Sequence, residues 1–166
     1  MQAADGTRTG VEFHSLSKTY LMTGWRIGVA VGNAQTIAAL GAVKSNYETG
    51  IFPVVQRAGI AALSGDPALL DDMRMRFQQR RDLFVDGLRR LGFSVEKPAA
   101  TFYVWAGIPG GEASGPYCRR LLDEAGIVVT PGAGFGPHGE GYFRAALTVS
   151  ETRLTEAIER IRRLNP

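Results

Sequence analysis

Between Asp66 and Gly92 the apolar residues Leu69, Met73, Phe77, Phe84, Leu88 and Leu91 recur at helical spacing, which predicts one long amphipathic helix. Asp66 supplies an N-cap, and Pro67 occupies the first helical position, where its missing N–H is no loss. This helix divides the chain at its start, into residues 1–65 and 66–166. Beyond it the pattern predicts short strands at Phe93–Val95 and Thr101–Trp105, then a helix from Ala113 to Glu124. Further strands follow at Ile127–Thr130 and Tyr142–Leu147, and a last helix starts at Glu151. Elements this closely spaced form a small α/β layer of their own.

Upstream, Val11–His14 and Arg26–Gly32 read as strands, the second apolar with small residues at Gly28 and Ala30, as in a strand covered on both faces. Asn33 is the N-cap of a predicted helix to about Ser45, and Pro53 starts another to Leu63. The fold class is α/β, and residues 1–65 read as the edge of a larger parallel sheet.

Several function classes are disfavoured. The formal charge of +3 is small, and the arginines are spread over helices instead of forming a basic run, so no nucleic-acid partner is expected. Cys118 is the only cysteine, which rules out an internal disulfide and suits a reducing, cytoplasmic setting. No apolar run approaches the roughly 20 residues that span a bilayer, and residues 1–10 lack a signal core, so a soluble, unexported chain without a membrane partner is expected. His14 and His138 form no ligand pattern, and no metal is expected.

The chemistry-bearing stretch is Ser15-Leu16-Ser17-Lys18-Thr19-Tyr20-Leu21-Met22-Thr23-Gly24-Trp25-Arg26-Ile27-Gly28, between the two upstream strands. Two hydroxyls and a forked guanidinium suit a phosphate dianion. A lysine amine that is partly desolvated beside an arginine is a better nucleophile toward an aldehyde. From residue types alone, the favoured reading is the plain one, with Lys18 an ordinary loop lysine and Arg26 an ordinary strand-edge arginine.

This run resembles the cofactor-lysine signature of class I/II aminotransferases of fold type I, with a serine three residues before the lysine and an arginine eight after it. Three later blocks, Thr101–Trp105, Thr130–Gly136 and Tyr142–Leu147, are similar to family blocks in the same order. The resemblance implies the fold type I architecture, namely the end of the large-domain sheet plus the small C-terminal domain, and pyridoxal 5′-phosphate as cofactor. It implies that Lys18 forms the Schiff base to the cofactor and moves the Cα proton. It also implies that Ser15, Arg26 and Ser17 bind the phosphate, while Arg144 grips the substrate α-carboxylate. Tyr20 and Tyr103 are further pocket candidates, and Gly132–Gly136 reads as a substrate-side turn.

The family's ring-binding aspartate, asparagine, tyrosine and stacking aromatic lie upstream of its lysine. The chain thus resembles the last two-fifths of such an enzyme and is expected not to turn over alone. The runs Glu12–Arg26, Val43–Asn46 and Gln56–Leu63 are most similar to the LL-diaminopimelate aminotransferase branch. The resemblance implies transamination between an amino acid and a 2-oxo acid by a cytoplasmic homodimer. A C–S β-lyase, a cyclopropane-carboxylate synthase and the effector domain of a transcription regulator share the same lysine and stay open as alternatives.

Overall fold

The structure is a computed structural model and describes residues 5–164. The chain divides into two compact units, Met1–Asp71 and Asp72–Pro166.

The first unit contains α1 (Gly6–Thr9), β1 (Val11–Ser15), α2 (Leu16–Thr19), β2 (Gly28–Gly32), α3 (Ala34–Tyr47) and α4 (Pro53–Leu63). Asn33 caps α3 as expected, its Oδ1 accepting from the Thr36 N–H at 3.0 Å. Its Nδ2 donates to the Arg8 carbonyl at 2.6 Å, which fastens the end of β2 to α1.

Two expectations are corrected here. The second strand begins at Gly28 and not at Arg26, because Arg26 is left-handed (φ 50°, ψ 49°) and cannot join a ladder. The two strands pair antiparallel, Val11 opposite Gly32 and Ser15 opposite Gly28, instead of belonging to a parallel sheet. The connection between them carries no crossover helix, and the Leu16 N–H bonds the Ile27 carbonyl at 3.2 Å, so the chain turns back beside itself. Among the described residues of this unit, the buried apolar side chains are Leu16 and Met22. Phe13, Val29, Val31, Val43 and Ile60 are exposed, Phe13 by 75%.

The second unit takes most of α5 (Pro67–Arg90), the predicted long helix, with the Asp66 Oδ1 accepting from the Ala68 N–H at 2.9 Å. β3 (Ser94–Val95), β4 (Tyr103–Gly107), α6 (Ser114–Ala125), β5 (Thr130–Pro131), β6 (Tyr142–Ala146) and α7 (Glu151–Leu164) follow. The strands form one antiparallel sheet in the order β3-β4-β6-β5. Alternation assigns its faces. Val104, Ala106, Phe143 and Ala145 point inward and are buried with Leu88 of α5, Tyr117 and Leu121 of α6, and Ile161 of α7. The Phe93 ring meets Phe143 edge-on at 6.0 Å, a favoured aromatic arrangement. Tyr103, Trp105, Tyr142 and Arg144 occupy the other face.

The strand expected at 101–105 is displaced to 103–107, since Thr101 is left-handed (φ 71°) and its hydroxyl accepts from the Tyr103 N–H at 3.0 Å. The strand expected at 127–130 shrinks to Thr130–Pro131. Gly126 ends α6 in the left-handed region and the Ile127 N–H is spent on the Leu121 carbonyl at 3.0 Å, so the chain leaves the helix before it can pair.

Arg80 of α5 locks the start of α7, its Nε donating to Glu151 Oε1 at 2.8 Å and its Nη1 to the Leu147 carbonyl at 3.3 Å. The guanidinium holds the Glu151 carboxyl below the usual carboxylate range. Nearby, α5 and α7 approach so closely that a Cβ on Gly87 would lie 2.4 Å from Ile158 Cδ1 and 2.9 Å from its Cγ1. Alanine gains about 1 kcal/mol of helix propensity over glycine, whereas overpacking costs about 1–3 kcal/mol. Gly87→Ala is therefore expected to lower stability in chemical denaturation. Ile158→Val, which removes the nearest carbon, restores it in the double variant; additive losses would show that Gly87 serves another purpose.

Candidate active site

The motif between β1 and β2 folds into a short helix, a turn and a reversed residue. Ser15 caps α2, its Oγ accepting from the Ser17 N–H at 3.1 Å. Ser17 is buried, and its Oγ accepts from Arg26 Nη1 at 3.3 Å. The same Nη1 donates to the Thr23 carbonyl at 3.0 Å, and the Thr23 hydroxyl donates to the Ser17 carbonyl at 2.9 Å. Ser15, Ser17 and Arg26 are thus joined in one hydrogen-bonded cluster, with Lys18 exposed on the same helical turn as Ser17. The structure brings together all four motif residues named from sequence.

Buried Leu16 and Met22 anchor this loop, and α4 presents Gly59 to Leu16 and Ile27. Leu21 (φ 54°) and Arg26 (φ 50°) both sit in the left-handed region, where a bulky side chain costs of order 1–3 kcal/mol. The reversal at Arg26 turns its guanidinium back over Ser17 instead of continuing along β2. Gly28 permits the close approach that follows, since a Cβ there would lie 2.6 Å from the His14 carbonyl oxygen. A Cβ at Gly24 would meet nothing within 4 Å, so no contact explains that glycine.

Arg144 belongs to the second unit, on β6 opposite Trp105 of β4 and Thr130 of β5. Its guanidinium lies between two rings, 4.4 Å from the Tyr103 centroid and 4.5 Å from that of Phe135. Among the described residues no carboxylate lies within 4.0 Å of it. A half-buried guanidinium held on both faces by rings has its planar fork constrained while its donors stay available to an anion.

Sequence reasoning singled out Tyr103 but missed Phe135, which was read only as part of a glycine-rich turn. Trp105 lies on the same sheet face, edge-on to Phe135 at 5.4 Å and stacked on Tyr142 at 5.7 Å. The alternation of aromatics along β4 and β6 was the available signal for this platform. Tyr20 is half-buried at the end of α2. His14 Nε2 lies 3.0 Å from Glu12 Oε2, and His138 is exposed in a turn. No group of three or more metal-ligating side chains occurs among the described residues, and no helix among them is long and apolar enough to cross a membrane.

Comparison with known proteins places these observations. The family model described as aminotransferase class I and II matches residues 2–161. LL-diaminopimelate aminotransferase of Moorella thermoacetica is 51% identical over 164 residues, covering 99% of this chain and 42% of the relative. The enzyme of the same name from Syntrophobacter fumaroxidans is 56% identical over 156 residues, covering 94% and 40% respectively. The chain therefore spans about two-fifths of the length of these curated relatives. Substrate-bound BacF from Bacillus subtilis superposes with a TM-score of 0.89 at 39% identity, over 96% of this chain and 41% of that one. A probable N-succinyldiaminopimelate aminotransferase from Thermus thermophilus gives a TM-score of 0.89 at 32% identity, over 97% and 43%. The α/β fold expected from sequence, part of the fold type I architecture, is the fold observed.

Proposed function

The chain belongs to the aminotransferase class I and II family, and from that premise we propose that it carries the cofactor lysine and substrate arginine of a pyridoxal-phosphate-dependent transaminase. The observation that carries the reading is the cluster of Ser15, Ser17 and Arg26 beside Lys18. It supplies what a phosphate ester of an aldehyde needs: hydroxyl donors, a guanidinium, and an amine one residue away. Pyridoxal 5′-phosphate fits this donor set, and when bound it supplies the electron sink that makes a substrate Cα–H acidic.

In this reading Ser15, Ser17 and Arg26 hold the phosphate and so fix the ring's position. Lys18 would hold the cofactor covalently at rest and, once freed, would be the base that moves the substrate Cα proton. Arg144 binds the substrate α-carboxylate through parallel N–H donors, with the Tyr103 and Phe135 rings preventing rotation of its fork. The amino donor is LL-diaminopimelate, supported by the names of the relatives near 50% identity. Residues 1–65 serve as the end of the cofactor domain and 66–166 as the interdomain helix and small domain of a longer, cytoplasmic, homodimeric enzyme. The exposed apolar side chains of the first unit suit surfaces that further polypeptide covers.

The test is borohydride reduction of the full-length enzyme loaded with pyridoxal phosphate, followed by peptide mapping. The label is expected on Lys18. Lys44 and Lys97 sit in ion pairs with Glu48 and Asp82, and label on either of them instead would overturn the assignment.

A further inference from the structure

The two rings that hold Arg144 are themselves held in different ways. Tyr103 is fixed by the β4–β6 ladder, opposite Ala146. Phe135 has no ladder, because it ends the helical turn Gly132–Phe135 that follows β5. Something other than strand pairing must fix that turn.

Its fastening starts at Glu140. One carboxylate oxygen, Oε1, accepts from the Ser114 N–H at the start of α6 and from the Gly141 N–H at 3.1 Å. Ser114 is fully buried, and its Oγ accepts from the Ala133 N–H at 3.2 Å, inside the turn that carries Phe135. The backbones of Gly132 and Gly139 lie so close that a Cβ on either would fall 2.0 Å from the other's carbonyl oxygen. Gly136, at φ 114° and ψ 174°, makes the reversal between those two segments. The order of connection is thus Glu140, Ser114, Ala133, Phe135, Arg144.

We propose that Glu140, acting through Ser114, is a positioning residue that sets the Phe135 ring against Arg144 and thereby aims the guanidinium fork at the substrate carboxylate. This rests on the reading of Arg144 given above. A carboxylate suits the task because one oxygen accepts from two backbone N–H groups at once, and because its charge complements the start of the twelve-residue α6. Those two N–H groups hold the Glu140 carboxyl below the usual carboxylate range. Neither Glu140 nor Ser114 touches Arg144, so their influence on it passes through the turn. Glutamine at 140 keeps an acceptor oxygen in place, whereas alanine removes it.

The experiment follows the Arg144 side-chain Nε–H resonance of the full chain by NMR, assigned by its loss in Arg144→Lys. The flanking rings shift this proton, and Phe135→Ala calibrates how much of that shift Phe135 supplies. Glu140→Ala and Ser114→Ala are each expected to move the resonance most of the way to its Phe135→Ala position, while Glu140→Gln keeps it near wild type. A resonance unmoved in both alanine variants overturns the proposal. Ser114→Ala, which swaps a hydroxymethyl for a methyl, decides the question if Glu140→Ala does not fold.

Titration with succinate then separates the positioning role from the reading beneath it. Succinate is expected to shift the same resonance, with affinity roughly tenfold lower in Glu140→Ala, the loss of about one well-aimed hydrogen bond. If succinate leaves Arg144 unmoved in the wild type while the ligand-free shifts occur as described, the carboxylate reading of Arg144 fails and the fastening of the turn stands. If succinate binds equally to wild type and to Glu140→Ala, the positioning role fails and the carboxylate reading stands.

Discussion

Replacing Lys18 with alanine is expected to abolish amino-group transfer in the full-length enzyme while leaving cofactor affinity largely intact. In the proposed reading Ser15, Ser17 and Arg26 hold the phosphate, and their hydrogen bonds to one another do not pass through the lysine amine. The proton at Cα, by contrast, has no other basic group on this helical turn to receive it, and positioned general acid–base catalysis is worth about 10²–10⁴ in rate. The measurement is single-turnover transamination, with cofactor binding followed separately by absorbance. An added primary amine should restore part of the rate. A variant that retains more than about a tenth of the wild-type rate would remove Lys18 from the proton-transfer role.

The second large effect distinguishes the two arginines. Arg144→Lys should weaken amino-acid and 2-oxo-acid binding roughly ten- to a hundredfold, since an ammonium cannot present two parallel donors nor lie flat between the Tyr103 and Phe135 rings. Arg26→Ala should instead release the cofactor. It removes the guanidinium donor to Ser17 and to the Thr23 carbonyl, and a left-handed backbone no longer has the side chain that justified it. Equilibrium dialysis against pyridoxal phosphate and against a 2-oxo acid measures both. The reverse pattern, with Arg144→Lys losing cofactor and Arg26→Ala losing substrate, would mean that the roles have been exchanged.

The elements legible in the sequence were those with a local cause. Asn33, Pro53 and Pro67 mark the starts of α3, α4 and α5 through capping and fixed φ, which need no partner elsewhere in the chain. The errors arose where a residue abandons the conformation its neighbours favour. Arg26 and Thr101 turn left-handed against steric preference and shift the start of each following strand. Ile127 gives its N–H to α6, which shortens β5. Pairing direction was also invisible, since an apolar run such as Gly28–Gly32 reads the same in parallel and antiparallel ladders.

The candidate site divides along the same line. Ser15, Ser17, Lys18 and Arg26 lie within twelve residues, so the spacing itself encodes their meeting. Arg144 was legible as a cation in an apolar strand. Its partner Phe135 was not, because the ring reaches it through a turn whose geometry depends on Ser114 and Glu140, on either side of it in sequence.

The packing of α6 has a practical consequence for watching this protein move. Cys118 is the chain's single thiol, buried against the sheet of the second unit, and burial raises its pKa. A thiol-reactive dye therefore has one target, shielded while α6 stays docked and not activated by its surroundings. The rate of labelling becomes a clock for the opening of this unit. Read beside a signal from Trp25 in the first unit, it would tell whether the two halves of the chain breathe together or on separate schedules.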